Sequence, residues 1–203
     1  LFCAVGIAKV GAVAALINTS QTGKVLSHSI NLVKPVAAIV AEELVAPLEA
    51  VKGELELPAD AFYFMADRDT TRDFGEEPAG YQHLARILAG MSDANPPTTA
   101  TVTKSDFLFY IYTSGTTGMP KASITNHERW LAAHAGFGHV ISGMRPDDVF
   151  YLTLPLYHAT GLLVCWGAVV SGPTTLVEYA GPRVHAGSKC PTHLVPHAVA
   201  HAK

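Results

Sequence analysis

Apolar residues recur along this chain in two alternating patterns. The segment "TGKVLSHSINLV" places Val25, Leu26, Ile30 and Val33 on one face of a predicted helix. Short and almost wholly apolar runs, typical of buried strands, lie on either side of it: "AVAALIN", "VAAIV" and "AFYFMA". Helix–strand units of this length predict an α/β fold in which helices flank a mostly parallel sheet.

Similar patterns continue toward both ends. "LFCAVGIAKVG" and "EELVAPLEAV" predict helices, and the polar stretch from Asp67 to Thr103 predicts a connector with a short helix near residues 84–89. The run from Phe107 to Tyr112 predicts a fully buried strand. The last patterned segments predict, in order, a strand, a loop, a helix and a strand: "VFYLTL", "PLYHATG", "LLVCWGAVV" and "TTLVE".

Another helix is expected after "TNHE". Thr125 and Glu128 have the spacing of a capping box, in which each side chain bonds to the other's backbone N–H. The predicted apolar face of that helix holds four residues: Trp130, His134, Phe137 and Ile141.

The start of the chain raises the question of a membrane segment. Its first 17 residues are apolar or glycine except for Lys9. Such a stretch barely spans a bilayer, and a lysine at its midpoint costs about 2.5–3.5 kcal/mol. We therefore expect a buried helix and a buried strand, with membrane association as the alternative. The chain opens on Leu1 inside a predicted helix, as expected of a piece of a longer protein.

Composition excludes some functions. The chain has 203 residues, a formal net charge of −3 and no cluster of Lys and Arg, so we expect no nucleic-acid partner. Cys3, Cys165 and Cys190 are odd in number and far apart, which argues against a disulfide framework and for a cytoplasmic location.

The chain changes character after Val177. We predict a domain over residues 1–177 and an irregular tail over 178–203, of the composition that a frameshifted or misjoined end produces. In the tail, Cys190 precedes three regularly spaced histidines, which suggests a metal site as the alternative. Pro191 and Pro196 interrupt the helix that such a site needs, so we predict no metal ligands.

The segment "YTSGTTGMPKAS" carries the most chemical information, and we call residues 113–121 the hydroxyl–glycine loop. Its glycines, Gly115 and Gly118, allow positive φ and a close approach of backbone N–H groups to oxyanions. Lys121 adds a cation that stays charged at pH 7, and Pro120 stiffens the exit. Four residues supply hydroxyl donors: Thr113, Ser114, Thr116 and Thr117.

This loop differs from the commoner phosphate-binding loop, G-x-x-x-x-G-K-[ST], because no glycine precedes Lys121. A flexible surface turn is the simpler alternative. The ordered string ending in Pro-Lys directly after a predicted buried strand favours a polyphosphate cradle instead.

The string Thr113 to Lys121 resembles the signature loop of the AMP-forming adenylating enzymes, the superfamily of acyl-CoA synthetases, luciferases and peptide-synthetase adenylation domains. "LPLYHATGL", Leu154 to Leu162, is similar to a second segment of that superfamily. "FYIYTSGTTGMPKA" and "GIAKVGAVAALINTSQTGKVLSHSI" look most like the branch of very-long-chain acyl-CoA synthetases and fatty-acid transport proteins. The resemblance runs from about Leu1 to Val177 and implies part of an N-terminal adenylation domain.

The resemblance implies ATP, Mg²⁺ and coenzyme A as cofactors and a long- or very-long-chain fatty acid as substrate. The acid would become an acyl-adenylate and then an acyl-CoA. The implied ligands of the ATP phosphates are seven loop residues: Thr113, Ser114, Gly115, Thr116, Thr117, Gly118 and Lys121.

The second segment would supply the substrate pocket. The resemblance places Tyr157, His158 and Gly161 beside the carboxylate, with His158 as the candidate catalytic residue and Gly161 keeping the helix start close to the substrate. Taken alone, a loop histidine is more often a hydrogen-bonded structural residue.

Several segments of the superfamily have no counterpart in these residues. They are a Tyr-Gly-x-Thr-Glu-like segment for Mg²⁺, a Tyr-x-x-Gly-Asp-like segment for ribose, and the C-terminal domain with its adenylation lysine. We therefore expect the 203 residues alone to lack synthetase turnover. The alternatives are a non-catalytic nucleotide-binding remnant and a membrane-associated component of fatty-acid uptake.

Overall fold

The computed structural model describes residues 2–66, 77–113, 118–145, 148–152, 154–163 and 175–178. The chain divides into two compact units. The first unit is built from residues 2–102 and 109–124, and the second from residues 103–108 and the described residues after 124.

The helices and strands of the first unit follow the predicted order. They are α1 (Phe2–Lys9), β1 (Ala14–Leu16), α2 (Gly23–Leu32), β2 (Ala38–Ala41), α3 (Val45–Glu49), β3 (Phe62–Met65), β4 (Gln82–His83), α4 (Leu84–Leu88), β5 (Phe107–Thr113) and β6 (Lys121–Asn126), and the last residues of β6 and the first of β5 belong to the second unit. Short 3₁₀ turns precede and follow α3, at Glu42–Leu44 and Lys52–Glu54, and a third lies at Pro97–Ala100.

The prediction of a mostly parallel sheet flanked by helices is confirmed. β2, β3 and β4 form one parallel sheet. β1 pairs in parallel with β5, where Ala14 faces Phe109 and Leu16 faces Ile111, and β6 is the other neighbour of β5. Only seven residues separate β5 from β6, too few for a parallel crossover, so these two strands are antiparallel.

One hydrophobic core of the first unit lies between the β2–β3–β4 sheet and two helices. Leu26 and Ile30 of α2 and Leu48 of α3 pack against strand residues such as Phe62 and Phe64. These residues match the helical and strand patterns of the sequence, because buried positions recur at i and i+4 on α2 and at alternate residues on β3.

The second unit contains α5 (His127–Ala135), a π-helical turn (Gly136–Ile141) and a parallel pair formed by β7 (Val149–Leu152) and β8 (Thr175–Glu178). The predicted capping box is wrong. Asn126, and not Thr125, caps α5 by accepting a hydrogen bond from the backbone N–H of Arg129 at 2.9 Å. The carboxylate of Glu128 instead accepts from Lys104 Nζ at 2.9 Å.

The predicted apolar face of α5 is right for its first half only. Trp130 and His134 are buried, but Ile141 is 77% exposed. The π turn explains the difference, because the N–H of Ser142 bonds to the carbonyl of Phe137, five residues back, and rotates the later residues away from the face.

Several predictions of burial were too broad. The first helix was expected to be buried, yet in α1 only Ala4 is buried and Phe2 is 76% exposed. The segment "VAAIV" was expected to form a buried strand, yet Val36 is 85% exposed and Ile39 of β2 is 41% exposed.

Two strands were not predicted, and a third strand is buried only in part. β4 is only two residues long, and β6 is largely exposed with a weak apolar pattern. In β5 the structure buries Leu108, Phe109 and Ile111, whereas Phe107 is exposed, so that strand is not buried throughout.

Some predictions fall outside the described residues: part of the connector (67–76), most of "LLVCWGAVV" (164–170) and the tail after Glu178. Within the described residues, no helix combines the length and apolar character needed to cross a bilayer.

Candidate functional site

The hydroxyl–glycine loop joins β5 to β6 in the first unit. Thr113 ends β5 and Lys121 begins β6. Ser114, Gly115, Thr116 and Thr117 lie outside the described residues. The described parts of the site are therefore the two ends of the loop and the side chains around them.

The entry to the loop is held by Tyr112. Its hydroxyl donates a hydrogen bond of 2.6 Å to the backbone carbonyl of Ser29 on α2. The pKa of Tyr112 is raised to about 12, mainly by burial and to a smaller extent by the neighbouring Tyr110. Tyr112 is therefore neutral at physiological pH, and it keeps its donor proton until the pH is much higher.

The exit from the loop is held by the residue next to Ser29. His28 Nε2 lies 3.1 Å from the carbonyl oxygen of Pro120. A carbonyl oxygen only accepts, so Nε2 carries the proton in this contact. Adjacent residues of one helix, α2, thus bind both ends of the loop.

This brace was not predicted from the sequence. Of the predicted apolar face of α2, Leu26 and Ile30 are buried in the core, whereas Val25 and Val33 are only half-buried. The partners of Ser29 and His28 are 83 and 92 residues away. Contacts over such separations depend on the register of the sheet, which local periodicity does not report.

Beyond the brace, the end of the loop is open and positively charged. Gly118 has φ +97, a conformation that favours glycine, and among the described residues other than its chain neighbours no atom lies within 4 Å of where a Cβ would stand. Lys121 is exposed and forms no ion pair with any described residue. An uncrowded glycine near a lysine that has no ion-pair partner among the described residues is the arrangement expected of an anion-binding loop.

The residues predicted to form the substrate pocket belong to the second unit. His158 is exposed, and its Nδ1 accepts a hydrogen bond of 3.3 Å from the backbone N–H of Thr160. Residues 159–163 are helical, so this contact caps the start of a helix. Because Nδ1 accepts, a neutral His158 carries its proton on Nε2, which leaves that N–H available to another group.

Gly161 has a clear packing role. A Cβ added to it would lie 2.5 Å from the carbonyl oxygen of Pro155 and 2.8 Å from that of Leu154. Only glycine lets the helix start rest against this backbone. The half-buried Tyr157 lies in the loop between, and the contact of these residues with a substrate stays a prediction.

The described residues also bear on metal binding. Among the described residues, no group of three or more His, Cys, Asp or Glu side chains is placed to hold a metal ion. The alternative of a metal site in the tail rests on residues that lie outside the described part of the chain: Cys190, His193, His197 and His201.

Comparisons with known proteins agree with this architecture. The AMP-binding enzyme family matches residues 1–190. A medium/long-chain fatty-acid–CoA ligase, FadD6 of Mycobacterium tuberculosis, is 35% identical over 168 residues, covering 83% of this chain and 26% of that protein. Long-chain fatty acid transport protein 6 of Mus musculus is 33% identical over 176 residues, covering 85% of this chain and 27% of that protein.

Solved structures show the same fold. A Mycobacterium tuberculosis fatty acyl CoA synthetase superposes with a TM-score of 0.67 at 23% identity, over 88% of this chain and 32% of that one. The anthranilate CoA ligase AuaEII, in complex with anthranoyl-AMP, gives 0.67 at 24% identity, over 89% and 33%. The chain spans about a quarter of the length of the curated relatives it matches. By the match over most of its length, the chain belongs to the AMP-binding enzyme family.

Proposed function

We propose that this chain supplies the phosphate-binding part of an enzyme that activates a long- or very-long-chain fatty acid with ATP. A fatty carboxylate attacks the α-phosphorus of ATP, pyrophosphate leaves, and the thiol of coenzyme A then displaces AMP from the acyl-adenylate. The names of the related ligases and transport proteins support the substrate class.

The observation that carries the proposal is the brace of the hydroxyl–glycine loop by α2. Negative charge moves onto the departing pyrophosphate during the first step, so donors already fixed around it stabilise the transition state more than the ground state. Hydrogen bonds from Tyr112 and His28 limit the motion of both loop ends. We assign the loop hydroxyls and amides to the β- and γ-phosphates, and Lys121 to phosphate contact or loop anchoring.

Mg²⁺ has no carboxylate ligand in the described surroundings of the loop ends. The groups there are hydroxyls, amides, a histidine and lysines, and hard divalent cations prefer carboxylate oxygens. We therefore route no step through the metal and expect its protein ligand elsewhere in a complete enzyme.

Calorimetric titration of the 203-residue chain with pyrophosphate tests the proposal. We expect saturable binding, and protection of the Lys121–Ala122 bond against trypsin. Lys121→Met should weaken binding roughly tenfold if the ammonium contacts phosphate, since a charged hydrogen bond contributes about 1.5–3 kcal/mol. Lys24→Met, in the exposed first turn of α2, is the matched control and should bind normally. Neither binding nor protection in the native chain would contradict the proposal.

We further propose that these residues alone do not turn over. They match about a quarter of the related ligase, and the segments expected to bind ribose and Mg²⁺ have no counterpart in them. Pyrophosphate exchange with a long-chain fatty acid measures this directly. Robust exchange by the isolated chain would overturn the proposal, whereas pyrophosphate binding without exchange is the expected result. That result is also expected of a non-catalytic nucleotide-binding remnant.

A second candidate function is membrane-associated uptake of fatty acids, favoured by the names of the transport-protein relatives. Under the leading proposal the chain is cytoplasmic and needs no membrane. Sedimentation with liposomes separates the two: quantitative partition into the lipid pellet favours the uptake component, and recovery in the supernatant favours the cytoplasmic ligase.

A further inference from the structure

Beside the exit of the hydroxyl–glycine loop lies a groove that includes Lys121 and the His28–Pro120 contact but extends beyond these residues of the proposed phosphate site. It runs between the C-terminal end of α2 and β6, has a volume of about 580 Å³, and belongs wholly to the first unit. This volume falls within the range of roughly 300–1,000 Å³ typical of small-molecule sites. We call it the α2–β6 groove.

The lining of the groove combines cations with exposed apolar surface. Three basic residues line it: His28, Lys34 and Lys121. Leu32, Met119 and Ile124 also line it and are 45%, 37% and 46% exposed. None of the lining residues is acidic, and neither lysine forms an ion pair within the described part of the chain.

Lys34 has an unusual backbone conformation. It follows the end of α2 at φ +46, and its N–H donates to the carbonyl of Asn31 at 3.1 Å. Glycine is the usual residue at such a helix end, because a side chain strains the left-handed conformation. Among the described residues, no other non-glycine residue has positive φ. Strain of this kind persists where the side chain is used.

We propose that the α2–β6 groove binds a free fatty carboxylate, with the carboxylate on Lys34 and the hydrocarbon chain on the exposed apolar residues. The lysine supplies a compact cation, and the apolar side chains regain burial when the chain covers them. The groove shares no residue with the predicted substrate pocket, whose residues belong to the second unit. It does not depend on the function of the hydroxyl–glycine loop.

The lining favours this ligand over other occupants. An inorganic anion would leave three large apolar side chains exposed, and a flat bilayer does not fill a concave groove. The tail of the chain is not complementary in charge, because residues 179–203 contain basic but no acidic side chains. An amphipathic monoanion matches both parts of the lining.

Titration of the full chain with decanoate, below its aggregation concentration, tests the proposal. We expect saturable binding of decanoate, and binding at least about tenfold weaker for decanol and for acetate, since each lacks one half of the ligand. Equal binding of decanol would overturn the proposal in favour of plain apolar contact. Equal binding of acetate would do so in favour of a simple anion site. Association only with phosphatidylserine vesicles would assign the groove to a membrane surface instead.

Variants at Lys34 distinguish a loss of decanoate binding from a loss of folding. Lys34→Gly removes the ammonium and the backbone strain together, so it should fold at least as well as the native chain yet bind decanoate about tenfold more weakly. Lys34→Arg should retain binding, and Lys24→Met, within α2 but outside the groove, should bind normally. Unchanged binding by Lys34→Gly would rule out the proposed carboxylate contact.

The position of the ligand is checked by photolabelling. A decanoic acid with a diazirine at its apolar end should label a tryptic peptide that contains Met119 or Ile124. Labelling confined to the peptide with Tyr157 and His158 would place the ligand in the predicted substrate pocket and refute the groove.

Discussion

Lysines near the two sheets of the first unit have opposite surroundings: one is paired within the protein, and the others line an open groove. At the β2–β3–β4 sheet, Lys52 Nζ lies 2.8 Å from the carboxylate of Glu49, 4.7 Å from the ring centre of Phe62 and 4.0 Å from that of Tyr81. At the β1–β5–β6 sheet, Lys34 and Lys121 face an open groove without an ion-pair partner in the described chain.

From this difference we infer that Lys52 has a structural role, whereas Lys34 and Lys121 are available to bind a ligand. Lys52 lowers the pKa of Glu49 by its hydrogen bond, so the lysine charge on the β2–β3–β4 side already has an internal partner. A cation with no internal partner has its interaction free for a ligand. We therefore expect substitutions on the β2–β3–β4 side to affect stability, and substitutions on the β1–β5–β6 side to affect binding.

The largest test of this contrast is Phe64→Ala. Phe64 is 1% exposed, and its ring packs edge-on against His83 with centres 5.4 Å apart. Emptying such a site should lower the free energy of unfolding by about 3–5 kcal/mol. Ile124→Ala, at an exposed position of β6, should change it by less than about 0.5 kcal/mol. Urea unfolding followed by circular dichroism measures both, and similar losses in the two variants would contradict the contrast.

Lys52→Met should have the next largest effect. Methionine keeps the apolar stem over Phe62 and Tyr81 but removes the charge, so the loss is the cation–π contacts and the partly exposed pair with Glu49. We expect a decrease of about 1 kcal/mol in the free energy of unfolding. Lys121→Met, the same change at the open groove, should leave stability within about 0.5 kcal/mol of native. An equally large loss of stability in Lys121→Met and Lys52→Met would contradict the distinction between a structural and a ligand-binding lysine.

The contrast also shows which features the sequence predicts. The apolar repeats of α2 and β3 predicted the core correctly, because burial imposes a period on local sequence. The loop was predicted from its ordered string, Thr113 to Lys121. The brace by His28 and the partners of Lys52 depend on contacts between segments far apart in the chain, and the turn at Gly136 that exposes Ile141 depends on backbone geometry without a compositional signal.

Tyr112→Phe tests the brace through its pH dependence. The pKa of Tyr112 is about 12 in the folded chain and about 10 when unfolded, so between these values the folded state binds more protons and stability falls as pH rises. Phenylalanine cannot titrate, so the variant should lose less stability from pH 10 to 12. At pH 7 it should be destabilised by about 1 kcal/mol through the lost bond to Ser29. Tyr63→Phe, on β3, is the control, and the same pH slope in the native chain and in Tyr112→Phe would contradict the role of Tyr112.

The smallest expected change is a gain in stability from Lys34→Gly. Glycine relieves the left-handed strain at φ +46 by about 1–2 kcal/mol but raises the entropy of the unfolded chain, which offsets about 0.4–1 kcal/mol. The two ranges leave a net gain of about 0–1.6 kcal/mol, and its midpoint of about 0.8 kcal/mol should raise the melting temperature by about 2 °C. Lys24→Gly makes the same replacement within the helical turns of α2 and should lower stability, because glycine is a poor helix former. Opposite signs from the same substitution within α2 and just after its end would show that Lys34 is retained at a cost to folding, as a ligand-binding side chain is expected to be. Loss of stability at Lys34 would mean instead that its side chain supports the fold, and that the β1–β5–β6 sheet resembles its neighbour in this respect.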